Sequence, residues 1–197
     1  MNKYFWILNI PFYLCVLFSC SEKIEETAVT ENQKEEMRRT AGDFLKHIKG
    51  VLVKEIQSNG VVSAVAVCSD TAHVLSNNFG LERGVFIKRV SNKNRNRFNY
   101  PDEYESEILD HFASMKQKGE LNEKSEHSEI VTLEEIKYIK YMKPIFIHAE
   151  CLNCHGKDNE ITDPVRKIIN KKYPQDKATG YSLGDLRGAV SIRKLLD

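Results

Sequence analysis

The stretch IKYIKYMKPIFIHAECLNCHG, residues 136–156, joins a strand-like pattern to a tight cluster of cysteine and histidine. Side chains alternate in character over residues 136–147, which predicts a β-strand. One face of this strand would carry Ile136, Tyr138, Lys140 and Met142. Cys151 and Cys154 follow, and His155 comes directly after the second cysteine. Two thiols and an imidazole so close together in sequence are typical of cofactor and metal sites.

The CxxCH spacing admits three chemistries. A c-type haem can be attached through both sulfurs, a zinc ion can use three of the residues, and a CxxC pair can form a redox-active disulfide. The five Cys and six His of the 197-residue chain give roughly 0.004 matches to CxxCH by chance. The motif is therefore informative, and its surroundings must decide between the three chemistries.

The first half of the chain predicts helices. Apolar side chains recur at steps of three and four, and Gly60 is expected to end the first of these segments. Cys68 falls on the inward face of the second segment. Pro101 is a favourable first residue for the third, which is acidic in its first turn. The predicted helices cover residues 33–57, 61–80 and 101–118.

The rest of the chain predicts mainly strands. They cover residues 84–91, 128–133, 136–147 and 188–196. A turn-rich basic loop follows the first strand. Helices at the start and then mostly strands indicate an α+β fold with an antiparallel sheet.

The N-terminus predicts export. Residues 1–19 carry Lys3, then a long apolar run and no acidic residue, as a secretory signal does. The run closes with Leu17-Phe18-Ser19-Cys20, which resembles a bacterial lipobox in which Cys20 receives lipid. A short membrane anchor or an ordinary signal peptide is the alternative, although Pro11 interrupts the run. We expect a lipid-anchored protein of the bacterial cell envelope, facing the periplasm or exposed at the surface.

The remaining chain is balanced in charge. Removal of residues 1–19 takes away only Lys3, so 29 basic residues become 28, against 28 acidic ones. This balance gives no reason to expect a nucleic-acid partner, and membrane contact would come through the lipid. A polar tether over residues 20–32 would lead into one domain over residues 33–197.

Context favours haem among the three chemistries. A structural zinc site needs a fourth ligand, such as Cys68, His127 or His148, and no second paired cluster is present in the sequence. A thioredoxin-like CxxC would begin a helix in an α/β fold, which the predicted order of elements does not match. Export fits covalent attachment of one haem c, and structural zinc is the minor alternative.

Four separated segments resemble one bacterial protein family. They are VSAVAVCSDTA (62–72), RVSNKNRNRFNYPDEYESEILDHF (89–112), YMKPIFIHAECLNCHG (141–156) and YPQDKATGYSLGDLRGAVSI (173–192). The family comprises single-haem c-type proteins with a PAS-like fold, found as exported proteins and as sensor regions, and was formerly a domain of unknown function. The resemblance spans roughly residues 35–196 and implies a PAS-like sheet with N-terminal helices.

The resemblance implies roles for individual residues. Cys151 and Cys154 would bond to the haem vinyl groups, and His155 would be the proximal iron ligand. Cys68 matches a cysteine thiolate on the other face of the iron, whereas the sequence alone describes a small buried side chain. After processing, Cys68 would be the only other thiol left in the chain. A thiolate ligand predicts a low reduction potential.

Other residues are weaker candidates. The resemblance makes Arg89, Lys93 and Arg95 candidates for pairing with a haem propionate. Tyr181 and Arg187 lie in the glycine-rich GYSLGDLRG, where a structural turn competes with a place near haem. The remaining histidines are expected at the surface or in hydrogen bonds, and Met115 and Met142 in the core.

The sequence carries no GxSxG, HExxH, P-loop or GxGxxG motif, so it does not indicate an enzyme. The first functional hypothesis is a low-potential electron-transfer or redox module with His and Cys as axial ligands. The alternative is a haem-based sensor of redox state or of a diatomic gas. Either role needs a separate redox or signalling partner, which the sequence does not identify.

Overall fold

The computed structural model describes residues 28–196. The predicted signal segment and the lipid-attachment residue Cys20 lie outside these residues, as does most of the predicted tether. The described elements comprise four α-helices and one four-stranded sheet. The predicted α+β class with an antiparallel sheet is confirmed.

Helix α1 spans Glu31–Arg83. A capping box begins it, in which Thr30 Oγ1 accepts from the Gln33 amide at 3.3 Å and Gln33 Oε1 accepts from the Thr30 amide at 2.8 Å. Gly84 ends it in the left-handed conformation, with φ of 64°. Terminal N–H and C=O groups of the helix therefore find hydrogen-bond partners at both of its ends.

The expected break at Gly60 is confirmed as a kink within α1. Two helical segments meet there, and Gly60 itself lies outside the helical region, with φ of 82° and ψ of 170°. The Glu55 carboxylate accepts from Asn59 Nδ2 at 2.9 Å and from Ser63 Oγ at 2.7 Å. Side-chain bonds thus span the kink and join the two helical segments.

The sheet has the order β1-β4-β3-β2, and all its pairs are antiparallel. Its strands are β1 Phe86–Val90, β2 His127–Leu133, β3 Ile136–Phe146 and β4 Leu186–Leu195. A two-residue turn with positive φ at Glu134 and Glu135 joins β2 to β3, which suits the twist of a hairpin. β4 lies between β1 and β3, so the final segment of the chain completes the sheet.

Helices cover both faces of the sheet. Phe44 and Met37 of α1 are fully buried against one face, where Tyr141 of β3 also lies. Helix α2, Glu103–Gln117, packs Phe112 against Met142 on the other face. The predicted third helix and the core position of Met142 are confirmed. The helix begins at Glu103 with Asp102 as its N-cap, so Pro101 precedes it and is not its first residue. A fully buried phenylalanine such as these contributes about 3–5 kcal/mol relative to alanine.

The segment after β3 forms two further helices. The short α3 spans Leu152–His155, and α4 spans Asp163–Lys172. The sequence analysis did not predict α4. Val165 and Ile169 of α4 pack against Val65, in the second half of α1. This contact sets the second half of α1 beside the cysteine cluster.

By length and composition alone, α1 is also apolar enough to cross a membrane. The core helix of a soluble protein passes the same test. In the second half of α1, Val65 packs on α4 and lines the cavity described next, whereas Val62 and Val74 are exposed.

Candidate cofactor site

A cavity of about 220 Å³ lies between α1, the cysteine cluster and one end of the sheet. Its lining is mainly apolar on the α1 side, where it is formed by Leu52, Ile56, Ala64, Val65, Cys68 and Ala72. Cys151, Cys154 and His155 line it from the segment after β3. The structure therefore brings all four predicted cysteine and histidine ligands to one cavity, although Cys68 is far from the others in sequence.

The CxxCH segment is a compact helical turn. A 3-10 turn over Ala149–Cys151 runs directly into α3, which ends at His155. Gly156 follows, and a Cβ there would lie 2.7 Å from the Leu152 carbonyl oxygen and 2.6 Å from Glu160 Oε2. The close return of the chain requires a residue without a side chain at this position.

His155 is held by one backbone contact. Its Nδ1 lies 2.6 Å from the Ala178 carbonyl oxygen. Because a carbonyl only accepts, Nδ1 carries the proton in this contact and Nε2 keeps its lone pair. Burial, reinforced by the nearby Arg95 and Arg187, lowers the pKa of His155 well below its usual value. The ring is therefore a neutral imidazole at pH 7, the form that binds a metal.

Cys68 contributes the thiol of the α1 wall. It is free of disulfide bonds and partly buried. Burial raises its pKa, and the Arg89 guanidinium opposes that rise. Burial also raises the pKa of Cys154, with a further contribution from Cys68. Both thiols are therefore neutral in the protein alone, and a metal or an electrophile would be needed to use them as thiolates.

Two cations line the cavity without an acidic partner among the described residues. Arg89 of β1 has a buried Nε with no hydrogen-bond partner. Arg187 of β4 donates from Nη1 to the Lys93 carbonyl oxygen at 3.2 Å, and its guanidinium lies 5.5 Å from the Tyr181 ring centre. Burial lowers the pKa of both groups, yet arginine stays charged. An anion is the ligand that such a pair of buried guanidinium groups would favour.

Arg95 differs from these two. Its Nε and Nη2 donate to Asp176 Oδ2 at 3.1 and 2.9 Å, and Nη2 also donates to the Cys154 carbonyl oxygen at 2.6 Å. The charge of Arg95 is thus neutralised inside the protein. This makes Arg95 a poorer candidate for pairing with an added anion than Arg89 or Arg187.

Lys93 and Tyr181 lie beside the cavity and are not part of its described lining. Lys93 Nζ donates to the Thr179 carbonyl oxygen at 3.0 Å and lies 4.3 Å from the Tyr181 ring centre. The Tyr181 ring meets His155 edge-on at 6.4 Å, and its amide donates to the His155 carbonyl oxygen at 3.0 Å. Tyr181 therefore supports the histidine from outside the cavity.

The other residues weighed as ligands lie elsewhere. Within residues 28–196, the cavity lining does not include His47, His73, His111, His127, His148, Met115 or Met142. No group of three or more His, Cys, Asp or Glu side chains in the same part of the chain is arranged to hold a metal ion. The geometry thus gives the zinc alternative no support.

Three residues of the site were not predicted as functional. Tyr173 lines the cavity, and burial raises its pKa to about 12, so its phenol is neutral. Asp176 holds Arg95, and Ala178 holds His155. All three lie in YPQDKATG, which the sequence analysis used only as part of the family resemblance. An aspartate in a short polar loop carries no local sign that it will be buried.

The fold and the cavity together define a small α+β protein with a cysteine- and histidine-lined cofactor site. A family model, Tll0287-like, matches residues 21–194, so the chain belongs to the Tll0287-like family. The resemblance to single-haem c-type proteins with a PAS-like fold is confirmed by this match.

A solved structure has the same fold. The crystal structure of the cyanobacterial heme-protein Tll0287 is similar with a TM-score of 0.62 and 20% sequence identity. The similarity covers 86% of this chain and 98% of that one. No curated protein matches the chain.

Proposed function

We propose that the chain binds one haem covalently in this cavity. Cys151 and Cys154 would form the two thioether bonds, and His155 and Cys68 would be the axial iron ligands. One observation carries the proposal: these four side chains, from two distant parts of the sequence, line a single cavity. Membership of the Tll0287-like family and the fold shared with a heme-protein agree with it.

The residues present fit a haem group. The apolar α1 wall suits the porphyrin face, and a neutral His155 suits iron coordination. Arg89 and Arg187 would pair with the propionates through charge-assisted hydrogen bonds. The orphaned Arg89 Nε would gain an acceptor in this way. Lys93, at the edge of the cavity, is a second-choice partner because its ammonium already donates to Thr179.

A bound iron would supply one-electron redox chemistry between ferric and ferrous states. The protein's own part is to hold two axial ligands of different charge. Cys68 as a thiolate favours the ferric state, which lowers the reduction potential. The largely apolar cavity limits the access of water and strengthens this electrostatic effect. We therefore infer a low-potential electron-transfer or redox module that acts with a separate protein partner.

A haem-based sensor of redox state or of a diatomic gas is the second candidate. The observation that favours it is the bend of α1 at Gly60, eight residues before Cys68. A helix that departs from regular geometry there can change its angle with little loss of hydrogen bonding. If Cys68 holds the iron, a change of angle at Gly60 would move this ligand and leave room for a diatomic gas. No catalytic group is assigned, so we propose a redox or binding role and not an enzymatic one.

The location of the protein follows from the N-terminal sequence. We propose export, lipid attachment at Cys20, and residence in the bacterial cell envelope. Covalent haem attachment on the far side of the membrane is consistent with this route. Nucleic acid is not an expected partner, because the charge of the chain is balanced.

The test is spectroscopy of protein matured with cytochrome c assembly machinery. We expect a red protein whose haem stays on the chain in a denaturing gel, and whose ferric form shows the low-spin spectrum of a thiolate ligand. Cys151→Ala with Cys154→Ala should abolish attachment, and Cys68→Ser should remove the thiolate signature. A colourless wild-type protein would refute the proposal.

A matched control lies on the same helix. Ser76 is buried, but its hydroxyl donates to the Ala72 carbonyl oxygen within α1. Ser76→Ala should keep the wild-type iron spectrum while Cys68→Ser loses it. Carbon monoxide added to the reduced wild-type protein separates the two candidate functions. Rapid binding favours the sensor, and inertness favours electron transfer.

A further inference from the structure

A buried ion pair adjoins the CxxCH segment. The Arg95 and Asp176 side chains are 11% and 8% exposed, and they lie in loops 81 residues apart. Removing two charges from water costs several kcal/mol each, and replacing such a pair by apolar residues is often neutral or stabilising. Stability alone is therefore a weak explanation for this pair. Its other contacts indicate a more specific role.

The pair joins the CxxCH segment to the loop that holds His155. Arg95 Nη2 donates to the carbonyl oxygens of Cys154 at 2.6 Å and Ala178 at 3.4 Å. Asp176 Oδ1 accepts from the Ala178 amide at 2.9 Å. Both polar groups of the Ala178 backbone are thus in contact with the ion pair. Ala178 itself is fully buried, so its position is also fixed by packing.

The Ala178 carbonyl oxygen is the acceptor of the His155 Nδ1 proton, at 2.6 Å. Two further bonds close the same loop onto the segment: the Gly180 amide donates to the Gly156 carbonyl at 2.8 Å, and the Tyr181 amide donates to the His155 carbonyl at 3.0 Å. The acceptor for Nδ1 is therefore a rigid one. Its place is set from one side by the ion pair and from the other by these backbone bonds.

We propose that Arg95 and Asp176 are positioning residues that fix the ring orientation and the tautomer of His155. The inference rests on the proposed role of His155 as an iron ligand. A rigid acceptor selects the ring with its proton on Nδ1, which leaves the Nε2 lone pair for the metal. Partners that hold a histidine ligand in this way also raise its basicity as a ligand. Neither residue touches the metal in this role.

Both charges of the Arg95–Asp176 ion pair are needed to hold the acceptor of the His155 proton in place. Loss of the Asp176 carboxylate would leave Arg95 buried without a counter-charge and would free the Ala178 amide. Loss of the Arg95 fork would remove one donor from each of the Cys154 and Ala178 carbonyl groups at once. In either case the acceptor for His155 loses its fixed place, and the ring gains a second orientation.

The experiment uses the haem-loaded full chain with Asp176→Asn and Arg95→Lys. Glu126→Gln is the matched control, because the Glu126 carboxylate also accepts from a guanidinium, Arg38 Nε at 2.9 Å and Nη2 at 2.5 Å, but does not line the cavity. The first readout is hydrogen exchange of the His155 Nδ1 proton by NMR of the diamagnetic ferrous form. The second is the set of g-values of the ferric form by electron paramagnetic resonance.

In Asp176→Asn we expect exchange of the Nδ1 proton to be faster by at least about tenfold. A second low-spin ferric species should appear beside the wild-type one. Arg95→Lys, which keeps the charge but loses the fork, should show the same changes to a smaller extent. Glu126→Gln should show neither change, although it lowers stability. A structural role alone would lower stability in all three without changing the Nδ1 proton.

Wild-type exchange and wild-type g-values in a folded, loaded Asp176→Asn protein would overturn the inference. If Asp176→Asn does not fold or does not load, Arg95→Lys decides by the same two readouts, with an unchanged spectrum counting against the inference. A wild-type protein without haem would overturn the proposed function, and the inference with it. This result is distinguishable because it is read before any variant.

Discussion

Substitution of Arg89 should change the stability of the protein in opposite directions with and without haem. In the protein alone, its buried Nε has no acceptor, and burial lowers its pKa because the charged form is poorly solvated. We expect Arg89→Met to stabilise the haem-free chain, since methionine keeps an unbranched apolar stem and removes the buried charge. In the haem-loaded chain the same substitution should be destabilising, because the guanidinium would there bind a propionate.

The magnitudes follow from the contacts. An unsatisfied buried donor costs about 1–3 kcal/mol, and relief of a buried charge adds to this, so a gain of about 1–3 kcal/mol is expected without haem. A hydrogen bond to a charged group contributes about 1.5–3 kcal/mol, so the loaded protein should lose a similar amount. Because the two effects have opposite signs, they differ by about 2.5–6 kcal/mol, which is larger than the error of a denaturation experiment.

The assay is chemical denaturation at pH 7, followed by far-ultraviolet circular dichroism. The haem-free chain carries Cys151→Ala and Cys154→Ala and is checked for the absence of haem absorption. Arg97→Met is the matched control, because Arg97 lies in the neighbouring loop and is exposed. Arg97→Met should have little effect in either form. Equal destabilisation of both forms by Arg89→Met would refute the assignment of Arg89 to an anionic ligand.

Two further predictions concern α1 and the sheet. Gly60→Ala should destabilise the protein by about 1–3 kcal/mol, because φ of 82° with ψ of 170° is accessible mainly to glycine. The space beside Gly60 is open, so the added methyl group itself meets no neighbour. Chemical denaturation measures this effect, and an unchanged midpoint would contradict the prediction. Burial opposes ionisation of Glu126, but hydrogen bonds from Arg38 and Tyr141 outweigh it and hold its pKa below the usual value. Because the pKa of Glu126 is lower in the folded state, its carboxylate stabilises the protein at pH values above its pKa in the unfolded chain, about 4.3. This stabilisation is lost as the pH falls through the pKa of Glu126 in the folded state. Glu126→Gln should therefore reduce stability at pH 7 and lose less on acidification to pH 3 than wild type; parallel pH profiles would count against this.

Elements with local signals were predictable from the sequence. β2 and β3 follow alternating patterns, and α2 begins at a capping box formed by Asp102 and Glu105. The break at Gly60 was also a local signal, because glycine adopts the positive φ found there, whereas the bonds from Glu55 across the kink depend on the helix that follows. Helix α4 also has local signals, a proline in its first turn and a strong apolar stripe, although it was not among the predicted elements.

The site likewise contains residues that could be predicted from local sequence and residues that could not. Cys151, Cys154 and His155 are adjacent in sequence, so one helical turn brings them together. The places of Arg89 and Arg187 depend on sheet register, in which Arg89 pairs with Val190 across β1 and β4. A shift by one residue would turn each side chain to the opposite face. Sequence could therefore offer them only as candidates through the family resemblance.

The charges around the cavity link the stability of the folded chain to the binding of haem. Among residues 28–196, the guanidinium groups that line the site are those of Arg89, Arg95 and Arg187, all partly buried, and of these Arg95 alone is paired with a carboxylate, that of Asp176. Arg95 is thus satisfied before any ligand arrives and can hold the CxxCH segment in place, while Arg89 and Arg187 stay costly until an anion binds. A ligand that binds only the folded chain stabilises it by mass action. A covalently attached group stays on the unfolded chain as well, so it stabilises the fold through the contacts that it makes only in the folded state. The protein is therefore expected to be least stable just before haem attachment, with its cysteines and His155 already in position.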